Sequence, residues 1–171
     1  MSAHKPLEGV KVVELASFVA APTAGRMMAE MGADVIRVES TAGDPWRFYG
    51  ANCGLPITDE ENPLFDIYNL GKKDIQLNTK TPEGKEILFH LLDEADVFIT
   101  NNRLKSLVRS GLDYESLKDR FPKLIYGLVT GYGQTGPDVD APGYDGVAFF
   151  SRSGMLADMA EPSGYPASAP G

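Results

Sequence analysis

The stretch VKVVELASFVAAPTAGRMMAEMGADVIRVE, Val10 to Glu39, decides the fold. It opens on a β-branched apolar run, VKVVEL (Val10 to Leu15), of the length expected for a buried strand. A loop, ASFVAA, leads into PTAGRMMAEMG. There Pro22 suits a first helical turn, Ala24, Met27, Met28 and Met31 recur at helical spacing, and Gly32 suits the position just past the helix end. The second apolar run, DVIRVE (Asp34 to Glu39), completes a β-α-β unit, for which a right-handed crossover is expected.

The same alternation continues downstream. Asp74 to Leu77 reads as a short strand, and Thr81 and Pro82 supply an N-cap and first helical residue for a helix carrying Ile87, Leu88, Leu91, Leu92 and Ala95 on one side. VFIT (Val97 to Thr100) reads as the next buried strand. LKSLVRSG is a short helix ending at Gly111, Asp113 caps a further helix in YESLKDRF, and Pro122 stops it before the strand LIYGLV (Leu124 to Val129). Strands alternating with helices of this length predict the α/β class: a Rossmann-like, doubly wound and mostly parallel sheet flanked by helices. The segment Asp44 to Lys73 mixes Gly, Pro, Asn and acids, and reads as a long surface excursion. From Gln134 to Gly171 the composition shifts to turn signals, with 6 Gly and 5 Pro.

With 171 residues, 43% apolar and 23% charged, the chain has ordinary globular composition and enough length for one core. Its net charge of −8 argues against nucleic acid, whose phosphates require a basic face. No apolar run approaches the length of a membrane span and no signal-peptide core is present, so a cytoplasmic location is expected. The single cysteine, Cys53, excludes an internal disulfide and fits a reducing compartment.

Several chemistries have little to work with. His4 lies in the N-terminal tail and His90 within a leucine-rich helix, so serine- or cysteine-histidine catalysis lacks a base. The β-α-β opening invites a dinucleotide, with Glu39 where a ribose-binding acid would stand. The loop Ala16-Ser17-Phe18-Val19-Ala20-Ala21-Pro22, however, lacks the G-x-G-x-x-G fingerprint. Glu39 reads as a strand-end acid instead. An NAD(P)-binding oxidoreductase domain and a non-catalytic fragment remain the alternatives.

Other features point to an anionic small molecule. Lys80, Arg103, Lys105 and Arg109 follow strands, so their loops can converge on the crevice at the C-terminal edge of the sheet, whereas Lys72 and Lys73 enter a strand and lie away from it. Ala16, Ala20 and Ala21 leave room for a ligand against the backbone at a helix N-terminus. TGYGQTGP (Thr130 to Pro137) puts three glycines just after a strand, where they can wrap a ligand or simply turn the chain.

LEGVKVVEL, AAPTAGRMMAEMGADVIRVE, GDPWR, NLGKKDIQLNTKTPEGKEI, EADVFITN, GLDYESL, FPKLIYGLVTGYGQTGP and APGYD, taken in order and spacing from Leu7 onward, resemble the N-terminal region of the class III coenzyme A transferases, the formyl-CoA and carnitine CoA-transferase kind. The resemblance implies that residues 1–171 are the N-terminal part of a Rossmann-like, CoA-binding large domain, without the small domain, from an interlocked homodimer of chains more than twice this length. It implies acyl-CoA and a small carboxylic acid as partners, no permanently bound cofactor and no metal. The implied mechanism passes the acyl group through a mixed anhydride and the CoA through an aspartyl-CoA thioester. ITNNRLKSLVRSG and AFFSRSGML look closest to the branch acting on 2-hydroxy acids such as phenyllactate and hydroxyisocaproate.

Carried over residue by residue, the resemblance implies CoA contacts at Val19 and Ala20, at Leu77, Asn78, Thr79 and Lys80, at Asn101, Asn102 and Arg103, and at Arg109. Ser40 stands where many relatives carry a basic residue, and Asn101-Asn102 replaces their common Asn-Phe. The family nucleophile is the aspartate of a Gly-Asp pair just beyond a Pro- and Ala-rich stretch like Pro166 to Gly171. It is therefore expected beyond Gly171, leaving the isolated chain inactive. Asp145, in PGYDG, matches a different family aspartate that shapes the site, and is the rival nucleophile.

Overall fold

The structure is a computed structural model that describes residues 4–58 and 60–160. The chain divides into two compact units, one formed by residues 1–102 and 106–129 and the other by residues 103–105 and 130–171. In the first, β1 (Lys11–Leu15), α1 (Ala20–Glu30) and β2 (Asp34–Glu39) form the expected β-α-β unit. α2 (Trp46–Tyr49), a 3-10 turn at Gly50–Cys53 and α3 (Pro63–Asn69) follow. Then come β3 (Lys73–Gln76), α4 (Pro82–Glu94), β4 (Val97–Thr100), α5 (Leu104–Ser110), α6 (Tyr114–Leu117) and β5 (Ile125–Leu128). The five strands are all parallel in the order β3-β2-β1-β4-β5, so the doubly wound sheet expected from the alternation is present.

Successive side chains along a strand point to opposite faces, and the two faces differ in kind. On one face Val13, Leu15, Val38 and Phe98 pack with Leu88 and Leu92 of α4, Leu107 of α5, and Leu117 and Phe121, all buried. Thr81 caps α4 as expected, its hydroxyl oxygen accepting the Gly84 N–H at 3.2 Å. On the other face Val12, Ala16, Val35 and Ile99 pack against Ala21 of α1, with Ala24 and Met28 alongside.

That second face is only half apolar. Glu14 and Arg37 are fully buried, Glu39 and Asp44 nearly so. Arg37 bonds Glu39 and also reaches Asp44 at 2.5 Å and Asp74 at 3.0 Å. Lys72 Nζ lies 2.8 Å from Glu14 and donates to the Pro22 carbonyl at 2.9 Å and to Asn69 Oδ1 at 3.0 Å. Phe65 of α3 lies beneath two cations, 3.8 Å from the Arg47 guanidinium and 5.0 Å from that of Arg37. Glu14 also explains Gly25 of α1: a Cβ there would stand 1.9 Å from Glu14 Oε2.

Three expectations are corrected. The segment from Asp44 to Lys73 is not a surface excursion, because Asp44, Trp46 and Phe65 are buried and α3 packs on α1 to close the charged face. The methionine stripe of α1 is only partly inward, with Met28 on the core but Met27 51% and Met31 42% exposed. Gly25 takes a sheet-facing position because the Glu14 carboxylate occupies the space a side chain would need there. Asp113 precedes α6 but makes no side-chain cap; its carboxylate accepts the Ser116 hydroxyl instead.

The second unit has little regular structure among its described residues: a π-type turn at Gly146–Ser151 and α7 (Met155–Asp158). Its fixed point is a contact between backbones. Gly131 and Gly143 meet so closely that a Cβ on Gly131 would lie 2.3 Å from the Gly143 Cα, and one on Gly143 would lie 2.5 Å from the Gly131 Cα. Arg152 adds an ion pair with Asp138 and lies 4.9 Å from the Tyr132 ring centroid.

Candidate functional site

The sheet reverses its direction of growth between β1 and β4, and the loops leaving those two strands lead to helices on opposite faces, α1 and α5. A crevice opens at such a switch point. Thr100, fully buried at the end of β4, donates its hydroxyl to the Leu15 carbonyl at 2.7 Å and accepts the Asn102 N–H at 3.2 Å. The Asn101 side chain pairs with the backbone of Ser17 in both directions: Oδ1 accepts the Ser17 N–H at 3.0 Å, and Nδ2 donates to the Ser17 carbonyl at 2.7 Å. These bonds lock the two loops to one another at the floor of the crevice.

Beyond Ser17 the chain turns sharply into α1. Phe18 has φ +62°, the left-handed region, and is the one non-glycine residue with positive φ among the described residues. Its N–H donates to both carboxylate oxygens of Asp44, each at 3.2 Å. Val19 is the N-cap of α1 and supplies no side-chain cap, so the helix begins with backbone N–H groups directed to the crevice edge. Alanines follow at 20 and 21. An anionic group is favoured here by the helix dipole and by the lack of bulky side chains.

The candidate residues divide by position. Val19, Ser40, Leu77, Asn78, Thr79, Lys80, Asn101 and Asn102 all lie in the loops at the C-terminal edge of the sheet, and Ala20 is the first residue of α1 at that edge. Ala20, Ser40, Asn78 and Lys80 are exposed there, with Asn78 Oδ1 accepting the Lys80 N–H at 3.2 Å. Lys80 is thus a cation on an edge otherwise lined by small and neutral groups. Arg109 is exposed in the last turn of α5. Arg103 and Asp145 belong to the second compact unit. Asp145 is exposed at the start of the π-type turn, two residues after the Gly131–Gly143 contact. The Pro166 to Gly171 stretch lies outside the described residues.

Neither acid beside the crevice is free to act as a ribose ligand or base. Burial works to raise the Glu39 carboxyl, but hydrogen bonds from Arg47 and Arg37 outweigh it and hold it at about 2. Glu14 is pushed up by burial against the pull of Lys72, and Lys72 is pushed down by burial against the pull of Glu14. These groups form a structural ion network. Lys72, read as lying away from the crevice, does so, but inside the protein rather than on its surface.

Three residues that build the site receive no role from the sequence, and a fourth is engaged differently from its expected contact. Thr100 and Asp44 hold backbone, Arg37 holds Asp44, and Asn101, expected to touch CoA, has its amide engaged by Ser17. The adjacency of buried Asp44 to a strained Phe18 appears only in three dimensions.

A family model described as CoA-transferase family III matches residues 7–170. Among curated proteins, a cinnamoyl-CoA:phenyllactate CoA-transferase of Clostridium sporogenes is 51% identical over 158 residues, covering 92% of this chain and 38% of that protein. A (R)-2-hydroxy-4-methylpentanoate CoA-transferase of Clostridioides difficile is 45% identical over 161 residues, covering 94% and 40%. The chain therefore spans about two fifths of the length of these relatives. Among solved structures, a CAIB/BAIF family protein from Brucella suis superposes with a TM-score of 0.87 at 40% identity, covering 97% of this chain and 44% of that one.

Proposed function

This chain belongs to CoA-transferase family III, and from that premise we propose that it is the CoA-binding, N-terminal part of the large domain of an enzyme moving CoA from an acyl-CoA to a carboxylic acid. The observation that carries the reading is the β1/β4 crevice. Its floor is locked by Thr100 and Asn101, its wall is the uncapped N-terminus of α1, and Lys80 is an exposed cation after β3 on the same C-terminal edge of the sheet. A polyanionic ligand such as CoA suits that lining: its phosphates are assigned to Lys80 and the α1 amides, and the exposed, small Ala20 leaves the first turn of α1 open, while Ala16 and Ala21 are buried against the sheet.

The chemistry proposed is covalent catalysis by a carboxylate. Its oxygen attacks the thioester carbonyl of the acyl-CoA and the C–S bond breaks, giving a mixed anhydride and CoA thiolate. The thiolate then attacks the aspartyl carbonyl, releasing the first carboxylic acid as carboxylate and leaving an aspartyl-CoA thioester. The acceptor carboxylate reverses both steps. The thioester energy is kept in covalent bonds throughout, provided water is excluded. Holding the CoA is the part assigned to residues 19–20, 77–80 and 101–103, and to Arg109. The nucleophile is assigned to the aspartate following the Pro166 to Gly171 stretch, and Asp145 to shaping the site. Acceptors of the 2-hydroxy acid class are favoured by the two relatives named for phenyllactate and (R)-2-hydroxy-4-methylpentanoate. A homodimer is the proposed assembly of the whole protein, and the cytoplasm its location.

Titration calorimetry with CoA and with NADH tests the reading. CoA is expected to bind and NADH not; binding of NADH in place of CoA would return the oxidoreductase alternative. Intact-mass analysis after incubation with an acyl-CoA is expected to show no adduct, and an adduct on Asp145 would reassign the nucleophile.

A further inference from the structure

We propose that Asp44 is a positioning residue for the crevice: its buried carboxylate holds Phe18 in the left-handed conformation and so sets the direction in which the loop presents Val19, Ala20 and the first amides of α1. The inference rests on the reading of this edge as the CoA site.

Phe18 is a poor choice for its backbone. A bulky aromatic residue at φ +62° is strained, and such strain persists only where the surroundings over-determine it. Here two side chains from different loops grip consecutive residues. Asn101 pairs with both backbone groups of Ser17, and Asp44 takes the N–H of Phe18 on both oxygens. The left-handed turn sits directly after the first grip and under the second. One residue further on, Val19 starts the helix.

Asp44 is itself immobilised. Its carboxylate also accepts the Trp46 N–H at 2.9 Å and Arg37 Nη2 at 2.5 Å, and its own N–H donates to Glu39 at 2.7 Å. Arg37 is fully buried and tied to Glu39 and Asp74. A rigid chain of charge-assisted bonds therefore runs from the interior of the sheet to the amide of Phe18. The packing of Phe18 near Trp46, with ring centroids 6.3 Å apart, gives the aromatic side chain a place that glycine would leave empty.

The test uses this chain and CoA as probe. Asp44→Asn keeps the shape and removes the charge, and is expected to weaken CoA binding roughly tenfold, as loss of a charge-assisted hydrogen bond does. Adding Phe18→Gly to it is expected to restore most of that loss, because glycine adopts positive φ without being held. A double variant as weak as Asp44→Asn alone would overturn the proposal, since a merely structural Asp44 would not be rescued at position 18. Phe18→Pro leaves the bonds of Asp44 to Arg37, Trp46 and Glu39 in place but fixes φ near −65° and removes the N–H that Asp44 accepts. It is expected to lower CoA binding by more than tenfold with the far-ultraviolet spectrum unchanged, and retained binding would overturn the proposal even if Asp44→Asn fails to fold. Amide hydrogen exchange at Phe18 in the ligand-free chain separates the two readings: acceleration in Asp44→Asn supports the positioning role even if CoA does not bind, and unchanged exchange overturns it.

Discussion

On one face of the sheet Val13, Leu15, Val38 and Phe98 meet leucines from three helices; on the other, one residue along in the same strands, Glu14, Arg37 and Glu39 meet Lys72, Asp44, Arg47 and Asp74. The apolar face is non-directional and stabilises through the area it removes from water. The charged face is directional. Burying these ions costs desolvation that their attraction only partly returns, so its contribution is a defined geometry more than stability. That geometry ends at the backbone of the crevice loop, while the apolar face ends mostly at the helices and reaches the crevice through the Thr100 hydroxyl at the end of β4. One layer makes the domain fold, and the other aims it.

Breaking the charged face one partner at a time is expected to give the largest effects. Arg37→Met leaves Glu39, Asp44 and Asp74 facing each other without their central cation, and should cost about 3–5 kcal/mol in urea unfolding. On the apolar face Phe98→Ala should cost a similar or slightly smaller amount, about 3–4 kcal/mol, by cavity formation alone. The sharper contrast comes from doing two changes at once. Lys72→Met alone strands the Glu14 carboxylate and should destabilise by about 3 kcal/mol. Lys72→Met with Glu14→Leu should recover most of that, since replacing a whole buried pair by apolar groups is close to neutral.

A pH series isolates Glu39. Its carboxyl is held at about 2 in the folded protein, below its ordinary 4.5, so its contribution is present above about pH 4.5 and lost as the pH falls through about 2. Wild type should therefore exceed Glu39→Gln by about 3 kcal/mol at neutral pH, with the gap closing between pH 4.5 and 2 in urea titrations. A gap that stays constant would show that Glu39 acts by shape and not by charge. The smallest effect is expected one residue from Lys72. Lys73 is exposed and pairs with the exposed Asp34 at 2.7 Å, so Lys73→Ala should change stability by no more than about 0.5 kcal/mol.

These two faces also mark what the sequence could disclose. Parallel strands covered on both sides read as apolar runs, and VKVVEL, DVIRVE, VFIT and LIYGLV do so; with Asp74 to Leu77 all five strands and the parallel, doubly wound class were legible, though not the order β3-β2-β1-β4-β5. A single acid or arginine inside such a run reads as a solvent-facing position, because periodicity assigns faces but not partners. Glu14 and Arg37 become intelligible only once Asp44, Asp74 and Lys72, the last 58 residues from Glu14, are in place. The loops of the crevice were legible as a set, since topology alone brings the C-terminal ends of strands together. The hydrogen bonds within the set were not, as Asn101 illustrates. Its residue type fits a ligand contact, and its hydrogen bonds go to Ser17.

The meeting of Gly131 and Gly143 backbones has a practical consequence for anyone wishing to re-engineer this segment. Residues 131–143 cannot be diversified as two independent loops, since a side chain at either end displaces the other. A graft from a relative must carry both glycines and everything between them as one cassette. Libraries that randomise Tyr144 and Asp145 while leaving that cassette untouched will sample new side chains on a backbone that has not moved.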